Sequence, residues 1–293
     1  MEISFLIVTK NRPEDLALTL NKLKDVIDLN RHEVCVFIDG CVKTESLIKA
    51  FDWVKWTSSN KSISASPARA QLYKKALGTI FIGLDDDAHP LTKDFIASVK
   101  TEFQKDDSIG VLALQEVRGV FKSDQEALAQ LKQAKSYFTS DFVGCGFAVS
   151  KKAYTQVEGF PTFIDIYGEE PCVALQILDK NFKIKYVPHI AVNHRVDRQK
   201  RKQLRRNYFR FEKQLKNSFR FFVVYYPNPL KAILKLFLHN FRRYALSDLT
   251  YFKLYFKVVF LEVFGVWRLI KYRNPVRAST LDKMRGLEGL KYS

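Results

Sequence analysis

Apolar and polar positions along the first half of the chain follow two rhythms in turn. Residues 3–9, ISFLIVT, form a mostly apolar run of strand length, and after Pro13 the residues Leu16, Leu20 and Leu23 return at the spacing of one helix face. The alternation then repeats. Residues 33–39 read as a second strand and 43–51 as a helix, 53–57 as a short third strand, 67–77 as a helix opened by Pro67, and 79–84 as a fourth strand. Strand–helix alternation of this kind predicts a three-layer α/β fold around a mostly parallel sheet. Further on, residues 109–114 and 182–187 read as strands and 123–135 and 168–181 as helices. Residues 142–150 read as a strand whose glycines permit close backbone approach. No internal repeat is visible.

After Arg195 the pattern changes. Leu230, Ile233, Leu234, Phe237, Leu238 and Phe241 mark one helical face, with Lys231, Lys235, Arg242 and Arg243 off it. Phe252, Tyr255, Phe256, Val259, Phe260, Val263 and Trp267 mark a second. Neither stretch reaches the ~18 uncharged apolar residues of a spanning helix. Basic amphipathic helices rich in aromatic residues suit the surface of a membrane, or equally the core of a helical subdomain. The predicted division is an α/β domain over residues 1–200 and a basic helical region over 201–293 that associates with membrane or oligomerises.

Charge sharpens this division. The net charge is +17, and 24 of the 48 Lys and Arg lie from Arg195 onward against 6 of the 31 Asp and Glu. That stretch therefore carries +18 and the first 194 residues −1. Such asymmetry points to phosphates, in nucleic acid or in anionic lipid. The four cysteines (Cys35, Cys41, Cys145, Cys172) show no C-x-x-C spacing and are expected to be reduced and buried, as in a cytosolic protein. The opening MEISFLIVTKNRP has an apolar run of only six, too short for the core of a signal peptide.

Residues 83–90, GLDDDAHP, close the fourth strand with three adjacent aspartates. Like charges so close repel, at a cost that rises near an apolar core. A solvated turn ending at Pro90 would tolerate them; a divalent cation would offset the repulsion by collecting hard oxygen ligands. Open α/β sheets bind ligands beyond the C-terminal ends of their strands, where Asp39 and Asp85–Asp87 both fall.

ISFLIVTKNR, the strand ending in Asp39-Gly40, the helix SPARAQLYKKA, GLDDDAHP, VGCGFAVSKKAYTQVEGF, GEEPCVALQI and VNHR stand in the order seen in inverting family 2 glycosyltransferases. The resemblance covers about residues 1–200, and RNYFRF, YYPNPLKAI and RNPVRASTLDKMRGL in the tail are similar to bacterial polysaccharide enzymes of that family, rhamnosyltransferase-like ones especially. It implies a GT-A fold, a nucleotide-sugar donor (UDP- or dTDP-linked), a glycan or lipid-linked acceptor, and a divalent cation, Mn²⁺ or Mg²⁺, at the donor diphosphate. It implies that Asp87 and His194 ligate the metal, that Asp85 or Asp86 contacts ribose, that Asp39 holds the nucleobase with Thr9 lining its pocket, and that Arg69 contacts the nucleotide. Of the pair opening the acidic helix, it implies Glu170 as general base, with Glu169 orienting the acceptor or the loop.

The residues themselves allow plainer roles. Glu169 and Glu170 also complement a helix N-terminus, and neighbours on a helix point about 100° apart, so one of them at most faces a substrate. The sequence departs from the family pattern at Lys10, where a tyrosine is frequent, at Ile38-Asp39-Gly40-Cys41, at Pro171 and at Gln176. Two other classes remain to be weighed. A sugar-phosphate nucleotidyltransferase would carry a glycine-rich phosphate loop after its first strand, and TKNRPED has no glycine. A nucleic-acid-binding protein would use residues 195–243. The expectation is a peripheral enzyme on the cytoplasmic face of an anionic membrane, possible as a homo-oligomer, with no nucleic-acid partner.

Overall fold

A computed structural model describes residues 1–197 and 206–290. The strands are β1 (Ile3–Thr9), β2 (His32–Asp39), β3 (Lys55–Ser59), β4 (Ile80–Asp85), β5 (Ala88–Pro90), β6 (Ile109–Arg118), β7 (Tyr137–Thr139), β8 (Gly146–Ser150) and β9 (Lys183–His194). They form one sheet in the order β3-β2-β1-β4-β8-β6-β9-β5, with β7 also paired to β9. The longer pairings, β3-β2-β1-β4 and β6-β9, are parallel, while β8 runs antiparallel between β4 and β6.

Period-two alternation decides which helix each face receives. Ile3, Phe5 and Ile7 of β1 join Leu16, Leu20 and Leu23 of α1 (Pro13–Lys24), together with Phe95 and Val99. Leu6 and Phe81, on the other face, join Ala68, Leu72 and Tyr73 of a second long helix. The helices in chain order are α2 (Val42–Glu45), α3 (Ala65–Lys75), α4 (Phe95–Lys105), α5 (Asp124–Leu128), α6 (Lys151–Tyr154) and α7 (Glu169–Asp179). All eight residues of β2 are buried, as a central parallel strand covered on both faces requires. All four cysteines are free and buried.

Several elements differ in extent from the expectation. The helix read over 43–51 is helical only to Glu45 and continues as tight turns, with Leu47 N bonded to Thr44 O and Ala50 N to Leu47 O. That read over 123–135 ends at Leu128, beyond which 129–136 offers little apolar surface to bury. The strand read over 182–187 runs on to His194. Pro188 falls inside it where the ladder jumps from Leu114↔Val187 to Gln115↔Ala191, and that irregularity accommodates a residue with no N–H to donate. The helix α4 and the short strands β5 and β7 had no counterpart in the sequence reading.

The basic region folds as α8 (Tyr208–Tyr225), α9 (Leu230–Arg243), α10 (Leu249–Phe264) and α11 (Ala278–Gly286), with short 3₁₀ segments at Ala245–Ser247 and Val266–Tyr272. In α8, Phe211, Leu215, Phe219 and Val223 recur every four residues and are buried. Phe219, Val223, Val224 and Tyr225 share a core with Phe163, Ile164, Cys172 and Leu175 of the α/β part. Burying side chains of this size is worth roughly 1.5–3 kcal/mol each. Phe211 and Leu215 pack instead on Ala245, Tyr251, Tyr255 and Val258. The expected boundary at 200/201 and most of the cation run before α8 lie outside the described residues. Among the described residues no helix is long and apolar enough to cross a membrane.

Candidate active site

Strand register brings the acidic turn and the histidine together. β4 ends at Asp85, Asp86 and Asp87 form the turn, and β5 returns antiparallel to β9 with Ala88 opposite His194. His194 Nε2 consequently lies 3.2 Å from Asp87 Oδ1, and Arg195 N donates to Asp87 O at 2.9 Å. The parallel β6–β9 ladder sets Glu116 beside the same ring, with Oε1 2.5 Å from His194 Nδ1. Asp85, Asp87 and His194 each offer one ligand atom, all within 4.8 Å of one another. Two carboxylates and an imidazole suit Mn²⁺, and Glu116 on the far ring nitrogen is the outer partner that orients such a histidine. Cys145 also lies near His194, but burial pushes its thiol up to about 12, so it stays protonated.

The chain's own cations balance the aspartates. Arg12, from the turn before α1, places Nη1 2.7 Å from Asp86 Oδ1 and Nη2 2.6 Å from Asp87 Oδ2. Thr9 Oγ1 donates to Asp86 Oδ2 at 2.8 Å. Burial pushes Asp86 up to about 7, with Arg12 opposing. Burial acts on Asp87 in the same sense, yet the hydrogen bond and charge of His194, with Arg12, hold it well below the usual carboxylate range. His194 is raised to about 12, because its bonds to Asp87, Cys145 and Glu116 outweigh its own burial.

A second cluster centres on Arg69 of α3. Its guanidinium is buried, with Nη2 2.8 Å from Asp85 Oδ1 and Nη1 3.2 and 3.0 Å from Glu169 and Glu170 Oε1. Burial disfavours the charge, but the three carboxylates keep Arg69 protonated. Glu169 is 3% exposed, its Oε2 has no hydrogen-bond partner among the described residues, and burial with the neighbouring Glu170 raises its pKa against the pull of Arg69. Gly144 explains how the cluster closes. A Cβ there would meet Glu170 Oε1 at 2.1 Å and Arg69 Nη1 at 3.1 Å.

The loop that presents the glutamates is held from α8. Asn217 Nδ2 donates to Asp165 Oδ1 at 2.9 Å, to Ile166 O at 2.8 Å and to Tyr167 O at 3.0 Å. Lys213 and Lys216 reach Asp165 Oδ2 at 2.5 and 2.7 Å. Their bonds hold the Asp165 carboxyl well below its usual range although burial opposes them. This clamp fixes Tyr167 and Gly168 at φ 67° and 113°, immediately before Glu169.

Asp39 ends β2 nearly buried. Its oxygens accept from Ser62 Oγ at 2.6 Å, Ile63 N at 2.6 Å and Ser64 N at 3.2 Å, so it braces the loop before α3. Gly40 (φ 59°) lets that loop approach; a Cβ there would lie 2.2 Å from Ser62 N.

Two cavities meet at Glu170. One, of about 590 Å³, is lined by Thr9, Arg12, Asp39, Arg69, Asp85–Asp87 and His194. The other, of about 950 Å³, runs from Gly144 and Tyr167 to α8 and α9. Glu170 lines both; Glu169 lines neither. All nine residues singled out in the sequence thus fall in one cluster, although the carboxylate of Asp39 and the guanidinium of Arg69 are already engaged by the chain.

No family model matches the sequence, and no curated protein matches it. Solved structures do share its fold. A structure of GalNAc-T7 with UDP, GalNAc and Mn²⁺ superposes with a TM-score of 0.59 at 18% identity, covering 80% of this chain and 49% of that one. A mannosyltransferase from Pyrobaculum calidifontis with GDP-Man and Mn²⁺ gives 0.58 at 16% identity, covering 89% and 75%. Residues 1–349 of S. aureus TarS with UDP-GlcNAc give 0.59 at 13% identity, covering 88% and 79%. The chain has the GT-A fold. It spans about half the length of GalNAc-T7 and three quarters or more of the other two.

Residues that the sequence reading left out complete the site. Arg12 lies in TKNRPED, where the sequence pointed to Thr9 and Lys10 and gave Arg12 no role. Glu116 and Arg118, whose side chains pair at 2.7 Å, lie past the point where the sixth strand had been ended. An acidic residue just beyond an apolar strand, the cue that singled out Asp39 and Asp85, would have found Glu116 too.

Proposed function

We propose that the chain is an inverting, metal-dependent glycosyltransferase of the family 2 kind, moving a sugar from a nucleoside diphosphate to a glycan or lipid-linked glycan of the cell surface. The observation that carries this is the position of Glu170, at the junction of a cavity that ends in Asp85, Asp87 and His194 and a second cavity open to an acceptor. The donor's UDP- or dTDP-type diphosphate lies at Asp87 and His194, its ribose at Asp85 or Asp86, and its base between Thr9 and Asp39. Asp87 and His194, with Asp85, would hold Mn²⁺ or Mg²⁺ once the His194 ring gave up its proton, and the ion would supply Lewis-acid stabilisation of the departing diphosphate. Arg69 and Arg12 hold the carboxylates in place.

Glu170 accepts the proton of the acceptor hydroxyl while the oxygen of that hydroxyl attacks the anomeric carbon. The bond from that carbon to the diphosphate oxygen breaks, the leaving group keeps the electron pair, and one displacement inverts the centre. Glu169, buried and shifted toward the neutral form, orients the acceptor or the loop. The division of labour between the two follows their environments.

The basic helical region over 201–293 places the enzyme at the cytoplasmic face of an anionic membrane. Exposed Phe256, Phe260, Phe264, Trp267 and Ile270 on and after α10, beside Lys253, Lys257 and Arg268, support this. The test is incubation with a panel of nucleotide sugars and Mn²⁺ or Mg²⁺. Release of nucleoside diphosphate that stops in chelator is expected. Formation of nucleoside triphosphate and sugar 1-phosphate when pyrophosphate is added would make the chain a nucleotidyltransferase, and no release with any donor overturns the proposal.

A further inference from the structure

The helix α9 carries three lines of side chains, each spaced four residues apart. Leu230, Leu234 and Leu238 are 68%, 59% and 50% exposed. One position on, Lys231, Lys235 and His239 form a line of cations and a titratable ring, all exposed. Ala232 and Leu236 follow, turned toward α11. Such repeats hold their order along a helix because i and i+4 share a face.

Between α9 and α11 lies a groove of about 820 Å³. Its apolar wall comes from Phe222 and Tyr226 at the end of α8, from Ala232 and Leu236, and from Ala278 and Leu281 of α11. Lys231, Lys235 and Arg285 stand along it, against one carboxylate, Asp282, which Arg285 engages at 2.6 Å. The groove is therefore oily inside and net positive. Leu236 and His239 line both this groove and the 950 Å³ cavity that ends at Glu170, so the two spaces adjoin.

The chemistry changes along the way. In the cavity, Asn207, Gln214 and Asn240 offer amides, and Tyr167, Tyr244 and Tyr251 offer rings. Amides suit sugar hydroxyls, and ring faces suit the C–H faces of a pyranose. A ligand matching the whole path is polar and hydroxylated at one end, anionic in the middle and hydrocarbon at the other.

We propose that this path binds the acceptor, and that the acceptor is a saccharide joined through phosphate or diphosphate to a long hydrocarbon chain. The hydrocarbon lies in the groove, the phosphate at Lys231, Lys235 and Arg285, and the saccharide in the cavity with its reacting hydroxyl at Glu170. The line of exposed leucines beside the groove sets its mouth against the bilayer from which such a lipid comes. This deepens the glycosyltransferase reading and rests on it for the role of Glu170, but binding of the carrier is measurable without any donor or metal.

The experiment is equilibrium binding of geranylgeranyl phosphate, below its micelle concentration, to the full chain in chelator, with geranylgeraniol and inorganic phosphate as comparison probes. The lipid phosphate should bind at least tenfold more tightly than either comparison probe. Ala232→Trp, which fills the groove, and Lys231→Glu with Lys235→Glu, which reverse its charge, should each weaken it tenfold or more at an unchanged melting temperature. Asp87→Ala should leave it untouched. The proposal is overturned if the wild-type chain does not bind the probe, if geranylgeraniol binds as well, or if binding survives both groove substitutions. Absence of donor turnover with normal probe binding would instead count against the glycosyltransferase reading alone.

Discussion

On the sheet side of the cleft, Asp85, Asp87 and His194 stand at strand ends, and their spacing follows from ladder register: Ala88 faces His194, and Arg118 faces His194 from the other side. On the helix side, Tyr167, Glu169 and Glu170 stand on a loop and a helix start held by side chains from α8, through Asn217 and the two lysines on Asp165. Backbone hydrogen bonds set where the first group stands, and Arg12, Arg69 and Glu116 only fix its side chains; in the second, side-chain hydrogen bonds and ion pairs hold the backbone itself. The difference predicts where each half breaks. Single substitutions on the sheet side should remove chemistry and leave the fold, whereas on the helix side they should also loosen the structure.

The largest effect should follow Asp87→Ala. Loss of the anchor for diphosphate charge is expected to lower kcat/KM about a thousandfold, ~4 kcal/mol, in a protein that still folds. Near-normal turnover in this variant, measured as nucleoside diphosphate release, would break the assignment of the sheet side. Glu170→Gln comes next, at about 10²–10⁴-fold in kcat with donor binding retained, since an amide cannot take the proton. Glu169→Gln should cost less; a larger loss there would shift the base by one residue.

Asp165→Asn tests the helix side through pH. Its carboxyl is held below the ordinary value of 3.8, so the stability it contributes is present above that value and is lost as pH falls through the folded-state pKa. The variant should be less stable by about 2 kcal/mol at pH 7, and the gap should close as pH drops below about 4. Urea denaturation at both pH values measures it. A gap independent of pH would mean that the ion pairs with Lys213 and Lys216 do not hold the loop. The smallest effect concerns the surface. Co-sedimentation with anionic liposomes should exceed that with neutral ones, with each nearby cation worth about 1 kcal/mol, and should fall as salt rises. Equal sedimentation with both would remove charge from the account of the basic region.

The same contrast explains what was legible in the sequence. Strand ends announce themselves: an apolar run followed by Asp39, or by Asp85-Asp86-Asp87, marks a position beyond the sheet whatever the neighbours are. The acidic pair at Glu169-Glu170 was equally visible. Arg12 was not, because an arginine in a turn has no periodicity, and its partners lie 74 and 75 residues away. Asn217 was hidden for a different reason. Within α8 it sits among cations and aromatics as one more polar position, and only the packing of Phe219 and Val223 on Cys172 and Leu175 turns it toward the loop. The aromatic stripes were read as uniform faces, yet each divides: Tyr255 is buried and bonds Phe237 O at 3.1 Å, while Phe256 and Phe260 remain exposed. Helical spacing fixes which residues share a side, and tertiary contacts decide how much of that side is covered.

Calorimetric titration of a nucleoside diphosphate in the presence and absence of Mn²⁺ tests the central claim most directly, because it needs neither the acceptor nor the sugar. Wild-type protein and Glu170→Gln should bind the nucleotide at one site only with the metal present, and Asp87→Ala should lose that metal-dependent binding while staying folded. Binding of equal strength with and without Mn²⁺, or in Asp87→Ala, would contradict a donor site built on the strand-end aspartates and His194.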